Sequence, residues 1–359
     1  MPPSAALAPA SHSATCPTTK GLPCTAAPIS GNPWLFVGGC PRSGTTLLQR
    51  MLDNHSLLTV ANDSHVIPRA LEKTSRELVL RAESGASIPL TRELRDAVSG
   101  YHRFYRLGVD VADVDRIAGS VDTYQELIRG LFDLRAQHQN KVYSGEKTPD
   151  YVRYIPLLLQ MFPDSKFIHI VRDGRDVSLS LRQWATPTKG PGRFEYWNTD
   201  PIAVCALWWR MFCEQGLAVP SDLNPRVLLV QYERLVAYPQ SELERICQFI
   251  DLPFETQMRD FHVGRSPQTQ PDDKTHSAKK QWLPAVKGLR NWRTDMAPED
   301  VQVFDGLAGA ALSRLGYESP SRIVSAAAFE RVARATSWWR TTRTYQESHA
   351  AVCRSLSNS

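Results

Sequence analysis

The feature that most constrains this chain is an apolar run, Trp34-Leu35-Phe36-Val37, which stops at Gly38-Gly39-Cys40-Pro41-Arg42-Ser43-Gly44 and gives way to Thr45-Thr46-Leu47-Leu48-Gln49-Arg50-Met51-Leu52. Four apolar residues bounded by glycine predict a buried strand, and residues 45–52 predict a helix. A strand, a glycine-rich loop and a helix in that order aim successive backbone N–H groups into a concavity at the helix N-terminus, where the dipole favours negative charge. The spacing, Gly39 followed by four residues and then Gly44-Thr45-Thr46, is that of a phosphate-binding loop. Thr45, however, stands where a lysine would reach the β- and γ-phosphates of a nucleoside triphosphate. Arg42 supplies a cation at another place in the loop, so the pattern predicts an anion site that is not built for γ-phosphoryl transfer.

Two further units follow the same logic. Residues 151–161 read as a helix ended near Pro163, the run Lys166-Phe167-Ile168-His169-Ile170-Val171 as a strand, and a helix starts around Asp173. Arg226-Val227-Leu228-Leu229-Val230 reads as a third strand, with a helix over 241–250 after Pro239. Three apolar strands separated by helices predict an α/β fold: a P-loop-type parallel β-sheet flanked by helices on both faces. From Ile67 to about Gln139, apolar residues at three- and four-residue spacing predict three helices, a helical insertion over about 68–140 after the first βα unit. The catalytic domain is expected over 34–320, with a basic, tryptophan-bearing helix or tail over 321–359.

Charge and cysteine usage narrow the class. A balance of 42 basic against 37 acidic residues, net +5, is too mild for a nucleic-acid platform and suits an anionic ligand in a basic cleft. Seven cysteines form no C-x-x-C pair, which argues against a zinc site or disulfide framework and for a reducing, cytoplasmic setting. Residues 1–33, rich in Ala, Pro, Ser and Thr with Lys20 as their one Lys or Arg, are expected to be a disordered leader, and no membrane span is expected.

The second motif is Val171-Arg172-Asp173-Gly174-Arg175-Asp176-Val177-Ser178-Leu179-Ser180. Arg172 leaves the strand at the sheet edge where ligands of parallel sheets collect, and Ser180 falls about two helical turns on. The two are placed to grip one phosphate together. Asp173 admits a different reading, as the magnesium-binding carboxylate of a P-loop kinase or NTPase.

The stretch Pro41-Arg42-Ser43-Gly44-Thr45-Thr46-Leu47-Leu48 resembles the 5′-phosphosulfate loop of sulfotransferases that use 3′-phosphoadenosine 5′-phosphosulfate (PAPS). In that family an Arg and a Ser eight residues apart bind the 3′-phosphate, and 180 minus 172 is eight. The run from Arg42 to Pro68, with Asn62-Asp63-Ser64-His65-Val66-Ile67-Pro68, is most similar to tyrosylprotein sulfotransferases and related bacterial enzymes. The resemblance implies a PAPS-dependent enzyme that needs no metal and transfers a sulfuryl group by in-line displacement to an acceptor hydroxyl on tyrosine, carbohydrate, lipid or a small molecule.

It also implies roles residue by residue. Arg42, Ser43, Gly44, Thr45 and Thr46 would bind the 5′ end of the cofactor, and Arg172 with Ser180 the 3′-phosphate. The family's base is a glutamate 21 residues after the loop arginine; 63 minus 42 is 21, and this chain has Asp63 there. The side chain is shorter by one methylene, so the role falls to Asp63 or passes to His65. Lys147, in Gly145-Glu146-Lys147-Thr148-Pro149-Asp150-Tyr151, matches the lysine that stabilises the leaving group. Tyr232 matches a tyrosine near the adenine, or is a packed aromatic. Among the late basic residues, Lys287 and Arg290 are the candidates for closing over the phosphates.

Overall fold

The computed structural model describes residues 31–263, 290–318 and 324–357, so the expected leader and Lys287 lie almost wholly or wholly outside the described residues. Five strands, β1 (Leu35–Gly38), β2 (Leu58–Asn62), β3 (Tyr143–Lys147), β4 (Lys166–Val171) and β5 (Val227–Gln231), form one sheet in the order β2-β3-β1-β4-β5. Every neighbouring pair is parallel. The fold is α/β, as the apolar runs predict.

Side chains alternate across the sheet as strand geometry requires. Phe36, Phe167 and Val171 enter one apolar cluster, while Leu35, Val37, Ile168 and Ile170 enter the other. Burial on both faces explains why β1 reads as an unbroken apolar run and β4 as one interrupted only by the buried His169.

The sheet has two strands that the apolar pattern does not reveal. β3 is Tyr-Ser-Gly-Glu-Lys, with no apolar periodicity, yet it lies between β1 and β2. A Cβ on Gly145 would sit 2.3 Å from the Leu35 carbonyl oxygen, so only glycine lets the backbones approach.

Helices α1 (Thr45–Asp53), α2 (Val66–Thr74), α3 (Arg76–Glu83), α4 (Arg92–Ser99), α5 (Val111–Ala118) and α6 (Tyr124–His138) precede β3. The stretch between β2 and β3 thus holds five helices where periodicity suggests three. Separate starts divide it: Ser75, Thr91 and Thr123 each accept a bond from a backbone N–H of the first turn, and Asp110 closes a capping box with Asp113.

After β3 comes a 3₁₀ segment, Pro149–Tyr154, and only then α7 (Ile155–Met161), so the helix expected over 151–161 has a tighter first half. α8 (Gly174–Trp184), α9 (Pro201–Leu217), α10 (Tyr232–Ala237), α11 (Pro239–Phe249) and α12 (Thr256–Arg259) follow, then α13 (Trp292–Asp295) and α14 (Pro298–Arg314). The C-terminal segment is a helical pair, α15 (Ala326–Thr341) and α16 (Arg343–Ser357). Arg331 docks α15 by reaching Asp200, the N-cap of α9, at 2.8 Å and Asp300 of α14 at 2.8 Å. No described helix is long and apolar enough to cross a membrane.

Candidate active site

Parallel strands deliver their C-terminal ends to one edge, and the register brings Val37, Asn62 and Lys147 into one row there. The strand order reverses about β1, so the loop 39–44 opens at the crevice between the two halves of the sheet. Its path depends on two glycines. Gly39 has φ +155°, and a Cβ there would lie 2.1 Å from the Ile170 carbonyl oxygen. Gly44 has φ +92°, and a Cβ there would lie 2.4 Å from the Tyr232 ring. Tyr232 therefore packs against the loop, and Arg172 lies over the same ring with its guanidinium carbon 4.5 Å from the centroid.

Cations converge on this loop. Arg42, at φ +79°, donates from Nε to Ser180 Oγ at 3.0 Å. Its pKa is lowered, first by burial and then by the nearby charges of Arg172 and Arg290. Three guanidinium groups gathered at one loop form a site complementary to anions. Arg172 is 7% exposed; its Nη2 lies 3.6 Å from Asp176, and its Nε has no hydrogen-bond partner among the described residues.

The expected Arg172–Ser180 grip differs in detail: Ser180 accepts from Arg42, while Arg172 lies over the Tyr232 ring. The late basic segment contributes Arg290, held by the Gln183 side-chain oxygen. Ser43 is buried, with Oγ unpartnered among the described residues, and Thr45 is buried at the helix start.

The second half of the site lies at the ends of β2 and β3. Lys147 is 3% exposed and its Nζ donates to Thr46 Oγ1 at 3.4 Å. Burial is the main cause that lowers its pKa, opposed by Asp63. An ammonium loosened in this way is suited to neutralising charge on a departing oxygen. Asp63 Oδ1 contacts His65 Nε2 at 3.1 Å and Oδ2 accepts from Arg103 Nη1 at 2.9 Å. Burial opposes ionisation of Asp63, but the His65 hydrogen bond and the charges of Lys147, His65 and Arg103 outweigh it, holding the carboxyl well below the usual range. On its other side, His65 Nδ1 faces Asp150 Oδ2 at 3.8 Å.

Glu146 organises this region, and no motif marks it. Fully buried, it accepts through Oε1 from Ser64 N, Ser64 Oγ, His65 N and Thr148 Oγ1, and through Oε2 from Tyr151 OH. That set fixes the turn on which Asp63 and His65 sit, both at positive φ. Arg103 also escapes sequence reasoning, because it lies 40 residues from Asp63 in the chain.

Asp173, the residue on which a magnesium site would depend, is engaged otherwise. Its two oxygens accept from Arg175 Nε at 3.0 Å and Nη2 at 2.9 Å, and Oδ1 also caps α8. Both halves of the site open into a cleft of about 1160 Å³ whose walls include Arg42, Thr46, Asp63, His65 and Lys147. Trp208 and Trp209 are buried as core residues, and Trp208 also lines this cleft.

A family model described as "Sulfotransferase family" matches residues 33–256. Protein-tyrosine sulfotransferase A of Caenorhabditis elegans is 24% identical over 289 residues, covering 80% of this chain and 68% of that protein. Protein-tyrosine sulfotransferase 1 of Danio rerio is 25% identical over 296 residues, covering 80% and 72%. The sulfotransferase domain from the Synechococcus PCC 7002 olefin synthase superposes with a TM-score of 0.50 at 23% identity, covering 80% of this chain and 96% of that one, a likeness of fold.

Proposed function

This chain belongs to the sulfotransferase family, and from that premise we propose that it moves a sulfuryl group from PAPS to an acceptor hydroxyl bound in the cleft. The observation that carries the reading is the convergence of Arg42, Arg172, Ser180 and Arg290 beside a glycine loop whose Ser43 Oγ, like Arg172 Nε, is buried without a partner among the described residues. Two orphaned donors at a helix mouth fit a ligand rich in phosphate oxygens. Gly44, Thr45 and Thr46 with Ser43 would hold its 5′ end, and Arg172 with Arg42 and Ser180 its 3′-phosphate. Tyr232, packed on Gly44, supports a place beside the base.

PAPS supplies the sulfuryl group, whose bond to the phosphate oxygen breaks as the bond to the acceptor oxygen forms. The chain's residues manage charge and protons. The Asp63–His65 pair takes the acceptor proton, and Lys147 neutralises the charge left on the departing phosphate oxygen. Arg103 orients Asp63, and Glu146 orients the turn that carries both members of the pair. No metal enters this scheme.

The relatives are named for protein tyrosine; for this chain the acceptor is a molecule bearing a tyrosine, sugar, lipid or small-molecule hydroxyl. Arg69, Arg106, Arg153 and Arg193 line the cleft and favour acceptors with negative charge nearby. A cytoplasmic setting is part of the same proposal, supported by Cys40, Cys205, Cys213 and Cys247, which are buried as thiols. Calorimetry with 3′-phosphoadenosine 5′-phosphate (PAP) and with ATP–Mg tests the reading. Metal-independent binding of PAP in preference to ATP–Mg is expected, and the reverse preference would sink it.

A further inference from the structure

The cleft continues past the residues that handle charge and protons. Its outer wall is α16, which contributes Arg343, Gln346 and Glu347. Helix α9, against which α16 packs, contributes Trp208 and Gln215. An adjoining cavity of about 250 Å³ shares Arg153, Tyr154 and Gln215 with the cleft and has Val352 of α16 as a wall. The part of the cleft that these two helices line therefore runs on from the site proposed for transfer.

Two polar atoms of residues that line this part of the cleft lack partners among the described residues. Trp208 is 4% exposed and Gln215 8%, and neither Trp208 Nε1 nor Gln215 Oε1 has a hydrogen-bond partner among the described residues. One is a donor and the other an acceptor. They are 215 minus 208, seven residues, apart on α9, hence two turns along one face. Buried polar groups are almost always paired, so an unpaired donor and acceptor in residues that line one cavity point to a ligand that pairs them.

The helix that leads into this wall, α15, is held firmly. Trp338 stacks on Tyr196 at 4.8 Å, Trp339 packs on Phe194 at 5.5 Å, and Arg331 ties α15 to α9 and α14. Both helices of this pair lie beyond the residues 33–256 that the family model matches, so this wall is outside the part of the chain shared with that model.

We propose that the part of the cleft lined by α9 and α16 is an acceptor subsite for a polar arm, one that offers both hydrogen-bond acceptors and donors beyond the reacting hydroxyl. This rests on the sulfotransferase reading above. An apolar arm leaves Trp208 N–H and the Gln215 carbonyl unpaired, whereas a hydroxyl-bearing arm in this part of the cleft pairs them, with Gln346 and Glu347 of α16 also lining it. The subsite selects for the remainder of the acceptor; the reacting hydroxyl stays with Asp63 and His65.

Two phenols with the same reacting group separate the cases: 4-hydroxyphenyl β-D-glucoside, with a sugar arm, and 4-methoxyphenol, with an apolar cap. Each is titrated by calorimetry into the full chain loaded with PAP. The glucoside is expected to bind at least tenfold more tightly. Gln215→Leu, which keeps the volume and removes the carbonyl, should bring that ratio to within threefold while PAP affinity is unchanged. Gln346→Ala with Glu347→Ala, on an exposed surface of α16, should weaken the glucoside alone and removes dependence on a buried substitution. If PAP binds but neither phenol does, or the glucoside has no advantage, or the variants weaken both phenols equally, the subsite is wrong. If PAP itself fails to bind, it is the sulfotransferase reading that fails.

Discussion

His65 Nε2 lies 3.1 Å from Asp63 Oδ1, and the two side chains meet because both residues hold left-handed backbone, φ 62° and 68°, on either side of Ser64. Arg103 occupies the other Asp63 oxygen at 2.9 Å, and His65 faces a second carboxylate, Asp150, at 3.8 Å. Asp63 is consequently a stabilised anion and a weak base, while His65 lies between two carboxylates.

Substitutions divide the role between them. Asp63→Asn and His65→Gln should each leave PAP affinity nearly unchanged and lower turnover, by roughly 10² to 10⁴ for whichever residue receives the proton. If His65 receives it, the pH–rate profile has an acid limb that disappears in His65→Gln. An acid limb retained in His65→Gln and lost in Asp63→Asn assigns the proton to the carboxylate. Radiolabelled sulfate transfer as a function of pH provides the measurement.

Arg172→Ala removes a buried cation whose Nε has no partner among the described residues, so the fold should survive and PAP affinity should fall at least tenfold, about 1.4 kcal/mol. In the unaltered protein, loss of the ligand's 3′-phosphate should cost about 2 to 4 kcal/mol. In Arg172→Ala that difference should shrink. Titration of both nucleotides into both proteins gives the coupling directly, and independent effects would move the 3′-phosphate away from Arg172.

Gly44→Ala should remove cofactor binding. Its φ of +92° is costly for any residue with a Cβ, and that atom would stand 2.4 Å from Tyr232. Tyr232→Ala in the same background should relieve the clash but not the backbone strain, restoring PAP affinity only in part, as calorimetry of the double variant will read.

Glu146→Ala should destabilise the protein by about 3 to 5 kcal/mol, because five bonds from four residues converge on that carboxylate in a buried site. Urea unfolding supplies the check; a loss below about 1 kcal/mol would mean the turn holds itself.

His169 predicts a pH dependence of stability. It is fully buried on β4, and burial lowers its pKa to about 4. The unfolded chain, with an ordinary value near 6.5, takes up a proton that the folded chain refuses. This group leaves stability unaffected above about pH 6.5 and lowers it as pH falls toward 4, by roughly 3 kcal/mol in total. His169→Leu should flatten that part of the curve, and urea midpoints at pH 7, 5.5 and 4.5 in the two proteins will show the difference.

Much of this was legible from residues that act through their own neighbours. The loop 39–46 is visible because a strand, two obligatory glycines and a helix start are contiguous in the chain, and backbone N–H groups bind anions wherever that order occurs. Arg172 and Ser180 are visible for the same reason, since a strand end and the helix after it set their separation. β3 was not legible: Tyr143-Ser144-Gly145-Glu146-Lys147 has no apolar pattern, and the residues become a strand because β1 and β2 offer ladders on both sides. The Arg42–Ser180 bond, the Arg103–Asp63 pair and the five bonds at Glu146 likewise exist only once the chain has folded. Local order in the chain determines which residues can cradle a phosphate. Which carboxylate is held as an anion, which lysine is stripped of water and what faces the acceptor depend on charges and burial contributed by distant segments, and those terms exist only in the tertiary structure.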